Sequence, residues 1–520
     1  MSHANSLFYY NPAVIKPTSA SLEADVCIYG GNAGGIIAAV QAAKMGLCAV
    51  VLEPSNAIGG MTASGLSCTD AGATAGIGGL SREFYQRCGR YYGVEIEWRF
   101  EPHIAEKVLR EMLEESGAAI YFSQFLHRVE KNGERITAIE LEGGLRVAAK
   151  AFIDCSYEGD LMAQAGVSYH VGRESNSVYG ELYNGSQVMD RHQFYFPVDP
   201  YLVPGDPSSG LLPGIESGQA VDGVGDHRIQ AYNFRLCLSN DPDNQVDFEK
   251  PENYDASEYE LSVRYTQAGY PHPICKTGGK IRGNKIDMNN FGAVSSDFIG
   301  RNYAYPEGDY ATREKIFQQH VTYHKGLMWF WRNDPRVPRE HREFLAPWGL
   351  AADEFERTGH WPHQLYIREA RRMVSDYVMT EHHCLGKAFV EDPIGMASYT
   401  MDSHNTRRIV RDGRVLNEGN VEIVETQPFS ISHKSIVPGR GECENLLVPV
   451  CMSASHISYG SIRMEPVFMI LGQTAATIAA IAIENNCSVQ DVTYDELLPE
   501  QERQEQVLEL DTSQVLETIY

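Results

Sequence analysis

The 520-residue chain reads as an α/β protein, and three features carry that reading. Residues 25–29 are a β-rich run leading into a glycine turn, a small, Ala-rich helix over 36–45 and a second apolar strand over 48–52 that ends in Glu53. A second glycine-rich stretch, residues 54–65, follows that acid directly. The composition, 43% hydrophobic and 22% charged, is that of an ordinary globular chain, long enough for a large core without disulfides.

The turn is Gly30-Gly31-Asn32-Ala33-Gly34-Gly35. Gly30 turns the chain off the strand, the bare backbone through Gly34 admits a pyrophosphate, and Gly35 lets the helix pack close to the sheet. The helix N-terminus offers free N–H groups and its positive dipole end to phosphates. Glu53, 23 residues after Gly30, is placed to accept hydrogen bonds from a ribose diol. Asn32 occupies the middle-glycine position and is expected to keep the turn by tolerating a left-handed backbone. The second loop, with Pro54, Gly59, Gly60, Met61, Thr62, Ser64 and Gly65, suits FAD, whose length needs a further cradle. No second GxGxxG exists for a separate nicotinamide domain.

Elsewhere, residues 166–420 begin with loops rich in Pro, Asp, Asn and Tyr, and turn helical over 311–331 and 362–379. Residues 445–451 are an apolar strand-like run, and 467–483 an apolar helix interrupted by Gly472, Gln473, Thr474 and Thr477, a core helix rather than a membrane span. Residues 487–520 form an acidic tail with a surface helix over 499–510. The net charge of −25 argues against nucleic acid and anionic membranes as partners. Eleven cysteines, odd in number and without a CxxC pair, fit a reducing compartment. With no signal-peptide pattern at the N-terminus, the expected location is the cytoplasm.

Residues 23–53, the Gly59-Gly-Met-Thr-Ala-Ser-Gly65-Leu-Ser-Cys-Thr-Asp70 stretch, the 152–161 segment, Arg368-Glu-Ala-Arg-Arg-Met373, the 398–405 segment and the 453–466 segment together resemble the FAD-dependent oxidoreductases of the glutathione-reductase-like superfamily. More narrowly, they resemble a bacterial group labelled "FAD-dependent oxidoreductase" or "xanthan lyase". The resemblance implies a Rossmann-like, discontinuous FAD-binding domain (1–165 and 420–486) with an inserted α+β substrate domain (166–419). It adds Asp154, Asp160, Gly472, Gln473, Thr474 and Ala475 to the cofactor-binding set. Ala476 stands where the family's "GQAAG" segment ends in glycine.

A flavin dehydrogenase needs a base and substrate-orienting groups. His456, just before the C-terminal helix, is the first choice of base, with Tyr459 and Arg463 on the same segment; Arg463 suits a substrate carboxylate or flavin O2. Asp402-Ser-His404-Asn405 suits a loop entering a cavity. Arg368, Arg371 and Arg372 share one face if 362–379 is helical, with Arg371 the candidate anion ligand. No metal site is expected: His320 and His324 have i, i+4 spacing but no accompanying glutamate, and His382-His383 reads as surface. The expected activity is hydride transfer from a small polar substrate (a sugar, polyol or hydroxy acid) to flavin N5, with reoxidation by oxygen or an external acceptor. A redox-neutral lyase or isomerase acting on carbohydrate is the alternative, and a homo-oligomer is left open.

Overall fold

The computed structural model describes residues 7–273, 279–511 and 517–519; Cys275 lies outside them. Strand β1 (Ser21–Tyr29), helix α1 (Ala33–Lys44) and strand β2 (Ala49–Glu53) form the expected first unit. Helix α2 (Pro102–Ser116) starts on a proline, ends at left-handed Gly117 and buries Ile104, Ala105, Val108, Leu109 and Met112, the three-and-four spacing of one helix face. It is followed by β3 (Ala119–Phe122), β4 (Leu126–Asn132), β5 (Arg135–Leu141) and β6 (Arg146–Asp154). The order β3-β2-β1-β6 is parallel throughout. The first half of β6 pairs antiparallel with β5, and its second half pairs parallel with the short strand Leu446–Leu447. The strand-like run predicted near residue 446 therefore returns to the N-terminal sheet. The central strands are apolar because both faces are covered, one by α1 and α5 and the other by apolar side chains of β4, β5 and β6 such as Leu126, Ile136, Ile139 and Val147.

The middle of the chain carries a separate antiparallel sheet, in the order Gln245–Val246, Gly349–Ala351, Leu236–Ser239, Lys285–Met288, Gly279–Lys280. The predicted helix near 311–331 is α3 (Tyr310–Asn333), capped by Asp309, whose carboxylate accepts from Thr312 N–H. His320 and His324 turn Nδ1 onto carbonyls of their own helix and lie in the core, where burial lowers their pKa values to about 3 and about 4. Residues 362–379 are not helical. They run extended, with Arg371–Met373 pairing antiparallel with Tyr169–Val171. The cause is electrostatic. Arg368, Arg371 and Arg372 are buried and need acids from different elements, which an extended chain pointing alternate ways can reach. His383 is also buried rather than superficial, hydrogen-bonded to Tyr377.

Helices α4 (His456–Ile462) and α5 (Glu465–Asn485) close the fold. α5 is apolar and long enough to span a membrane, but it is buried inside the protein against α1. The two backbones touch at glycines: a Cβ at Gly472 would run into the Gly34 carbonyl, and one at Gly34 would stand 2.8 Å from the Phe468 carbonyl oxygen. The expected acidic tail is folded. Tyr494–Arg503 is a helix with a Thr493/Glu496 capping box, Glu505 accepts from Gly79 N–H, and Thr518–Ile519 pairs with Gly72–Ala73.

Gly472→Val forces these helices apart. Overpacking of this kind costs on the order of 3 kcal/mol, so thermal melting should fall by several degrees with Gly472→Ala intermediate; unchanged melting of both would contradict the crossing.

Candidate active site

The glycine turn at the end of β1 is built by close backbone approach. Gly30 has φ of +103°, and a Cβ there would stand 2.7 Å from the Cys155 carbonyl carbon and Ser156 N. Asn32 is extended (φ −66°, ψ 179°), not left-handed as expected; the left-handed position is Gly30. Asn32 is retained in the middle-glycine position because its side chain bonds in two directions. Oδ1 caps α1 by accepting from Gly35 N–H at 2.9 Å, and Nδ2 donates to the Cys155 carbonyl. Ala33 starts α1, and Gly34 and Gly35 are spent on helix and turn contacts. Gly31 N–H donates to Glu53 Oε2 at 2.6 Å, and Ser55 N–H to Glu53 Oε1 at 2.7 Å. Burial raises the Glu53 pKa, with the Ser55 and Gly31 hydrogen bonds opposing it. A Cβ at Gly31 would lie 3.1 Å from that carboxylate, so glycine keeps the approach to the acid clear.

The second loop docks on this turn. Gly59 N–H donates to the Gly31 carbonyl, and left-handed Gly60 leaves room for the Tyr157 hydroxyl. Met61 N–H donates to the Tyr157 oxygen at 2.9 Å, while Tyr157 O–H and Thr62 Oγ1 donate to Glu465 at 2.8 and 2.6 Å. Ser64 Oγ accepts from Gln364 N–H, and Gly65 packs on the Arg235 carbonyl. Glu465, which no sequence motif singles out, thus clamps the loop to the first turn of α5. Burial raises its pKa to about 7 against those two hydrogen bonds.

A narrow cleft of about 50 Å³ runs along Gly30, Asn32, Glu53, Pro54 and Gly60. It shares Tyr9, Ser55, Ala57 and His363 with a larger cavity of about 620 Å³. The bare turn, the α1 N-terminus and the buried acid at the end of β2 fit a dinucleotide. Asp160 lines the same cleft with its carboxylate held by Arg313 and Arg371. Arg371 is therefore an anchor for Asp160, also paired to Glu307. Asp154 accepts from Ser156 and Met162 N–H and fixes the turn after β6. Gly472, Gln473, Thr474 and Ala475 are placed away from the glycine cleft. They lie inside α5, whose start is Glu465, so their N–H groups serve the helix. Gly472 meets Gly34, Gln473 bonds Leu80 N–H and Gln41, Thr474 donates to the Ile394 carbonyl, and Ala475 is buried.

A separate cavity of about 440 Å³ has Asp70, Arg235, Tyr399, Asp402 and His404 among its walls. His404 Nδ1 is 2.8 Å from Asp297, and Nε2 is 3.3 Å from Asp402. Burial and Arg368 push the His404 pKa down, but Asp402 and Asp297 more than reverse that, leaving it above the ordinary value. Despite burial, Asp402 is held well below the usual carboxylate range by His404 and Arg463. Asp70 is raised by burial, with Arg235, 3.8 Å away, opposing. Arg463 donates to the Tyr366 oxygen at 2.9 Å and contacts Asp402. His456 does not line this cavity. Its Nδ1 pairs with Glu369, its Nε2 meets Ser403 Oγ, and Arg372 and Gln230 close the network. Tyr459 donates to the Val450 carbonyl, and buried Asn405 accepts from Ala231 N–H through its backbone. Among the described residues, Glu101, His103 and Glu354 lie within metal-ligating reach of one another, but Lys285 Nζ already sits against Glu101 and Glu354 at 2.7 and 2.8 Å.

Residues 25–500 match the model of a family described as FAD dependent oxidoreductase. The chain belongs to that family. Its cofactor is FAD. No curated protein matches it. Similar solved structures include OxyS anhydrotetracycline hydroxylase from Streptomyces rimosus (16% identity, 35% of this chain and 38% of that one, TM-score 0.23). THI4 from Thermovibrio ammonificans shows 20% identity over 29% of this chain and 66% of that one, TM-score 0.23. The 3-ketosteroid-Δ4-(5α)-dehydrogenase from Rhodococcus jostii RHA1 shows 16% identity over 31% of this chain and 51% of that one, TM-score 0.21. At those scores and coverages, under two thirds of each solved chain, these likenesses carry no argument about activity.

Glu53→Gln removes the charge expected to hold the ribose. A hydrogen bond to a charged group contributes about 1.5 kcal/mol, so FAD affinity, read by quenching of flavin fluorescence, should fall about tenfold, and melting of the apoprotein should fall modestly because the Gln amide faces one of the Gly31 and Ser55 N–H donors. Unaltered affinity would remove Glu53 from the cofactor site.

Proposed function

We propose that the protein oxidises a small polar substrate, a sugar, polyol or hydroxy acid, in the cavity above His404, with oxygen or an external acceptor restoring the flavin. Residues 1–165 and 420–486 would form a discontinuous FAD domain of the glutathione-reductase type, and 166–419 the inserted substrate domain. The return of Leu446–Leu447 to β6 and of α5 to α1 supports this division. The ten described cysteines are all free, which agrees with a cytoplasmic location.

The observation that carries the reading is His404 between two aspartates at a cavity wall. Gly30, Gly31, Glu53 and the 59–65 loop would hold FAD, which when bound supplies the two-electron acceptor for a substrate hydride. The chain's own residues then handle the proton. Asp297 at Nδ1 fixes the tautomer in which Nε2, 3.3 Å from Asp402, carries the lone pair that takes a hydroxyl proton, and both aspartates stabilise the imidazolium that results. This replaces His456 as the base, because His404 lines the cavity whereas His456 is closed in with Glu369 and Ser403.

The base must be neutral to work. With its pKa above 6.5, activity should fall as pH drops through a value higher than that of ordinary histidine. His404→Gln should lower kcat by on the order of 10²–10⁴ and abolish this acid limb while flavin content holds. His456→Gln should instead lower stability, by on the order of 3 kcal/mol for a broken buried pair, and keep the limb. The reverse pattern would restore His456 as the base.

A further inference from the structure

The cleft along Gly30, Asn32, Glu53 and Gly60 is smaller than the cofactor assigned to it. Its volume is about 50 Å³, whereas sites for small molecules run to roughly 300–1,000 Å³. The neighbouring cavity offers about 620 Å³. The two are bordered in common by Phe8, Tyr9, Ser55, Ala57 and His363. Ser55 and Ala57 belong to the loop after β2, and His363 to the extended run that follows residue 362. Phe8 and Tyr9 belong to an arm ahead of β1, and residues 7–10 of that arm are in neither helix nor strand.

The arm is seated chiefly on α3. Tyr9 and Tyr10 N–H both donate to Glu314 Oε2, at 2.7 and 2.9 Å, and Gln318 Nε2 donates to the Leu7 carbonyl and to Glu314 Oε1. The Tyr9 ring packs edge-on against Phe125 and Tyr305, and its hydroxyl oxygen accepts from Arg313 Nη1 at 3.3 Å. Arg313 is also the residue that holds Asp160 in the cleft. Tyr10 O–H donates to Glu142 at 2.6 Å. Side chains, not a sheet ladder, fasten the arm, so it can leave its seat without unpairing a strand. The aromatic surface it would uncover keeps that open state rare.

We propose that residues 7–10 are a strap over the cofactor site with Glu314 as its catch. FAD enters and leaves when the strap lifts, and Phe8 and Tyr9 close over it afterwards. The inference concerns cofactor exchange rather than the oxidation chemistry. It rests on FAD lying along Gly30 and Glu53, and it holds for whatever substrate the His404 cavity takes.

The test follows FAD association with the full-length apoprotein and FAD release from the holoprotein, both by flavin fluorescence. In Glu314→Ala both rates should rise by roughly ten- to a hundredfold, with Kd changed far less, because a gate speeds traffic in both directions. Glu314→Gln keeps an oxygen for the arm's N–H groups and should stay within a few-fold of wild type. Gln318→Leu, which frees the Leu7 carbonyl, is the second variant if Glu314→Ala does not fold, with the same direction expected. Chymotrypsin supplies a separate readout: cleavage after Phe8, Tyr9 or Tyr10 should be faster in Glu314→Ala than in wild type, and FAD should slow it. Faster cleavage with both FAD rates unchanged overturns the strap. Faster release with unaltered association overturns it too, since the arm would then be a cofactor contact and no gate. If Glu53→Gln leaves FAD affinity unaltered, the placing of FAD along the cleft fails and the strap falls with it. Weakened affinity in Glu53→Gln beside unchanged rates in Glu314→Ala fails the strap alone.

Discussion

Everything at the site depends on how closely two stretches of backbone approach at the first turn of α1. Gly30 admits Cys155 and Ser156, and Gly34 admits Phe468 and Gly472, with no side chain between them. That contact draws the C-terminal block onto the N-terminal unit across more than 400 residues of sequence. Once α5 is fixed, its first residue, Glu465, reaches the 59–65 loop through Thr62 and Tyr157. The preceding helix α4 lays Gly460 within 2.5 Å of the Asp402 carbonyl, were a Cβ present, and Arg463 holds Asp402 from the other side. A few small residues thus set the spacing between cofactor cleft and cavity.

Charge is the second organising element. The chain is strongly acidic, yet its interior holds many arginines, most of them paired with acids from distant segments. Arg313 and Arg371 share Asp160, and Arg372 bridges Glu174 and Glu369. Such pairs contribute little net stability, because desolvation offsets their attraction, but losing one partner is costly. They therefore act as fixed pins, and extended chain over 362–379 is what lets consecutive arginines serve separate pins.

The proposed cofactor half of the site is legible in the sequence because its signals are local. Strand, glycines, helix and acid fall within thirty residues, and each glycine is required by a neighbouring backbone. The proposed catalytic half was legible only in fragments. Asp402 and His404 stood out as a polar run, but Asp70, Arg235, Asp297 and Tyr366 come from four other segments and have no mutual spacing in sequence. The resemblance adds 472–475 to the cofactor set, while in the structure Gly472 serves the crossing of α5 over α1. Alternating arginines misled, since their spacing also fits a helix. His456 attracted attention by its neighbours, while its closed network with Glu369 and Ser403 became visible only in three dimensions.

The glycine cleft and the His404 cavity have no lining residue in common, so the proposed chemistry needs FAD to reach from one to the other. A crystal structure with FAD bound tests that link most directly. The dinucleotide is predicted along Gly30–Gly35 and Glu53, with the reactive edge of the ring opening onto Asp402 and His404. A ring lodged instead in the cavity beside Glu106 and Arg357, with His404 out of reach, would contradict it.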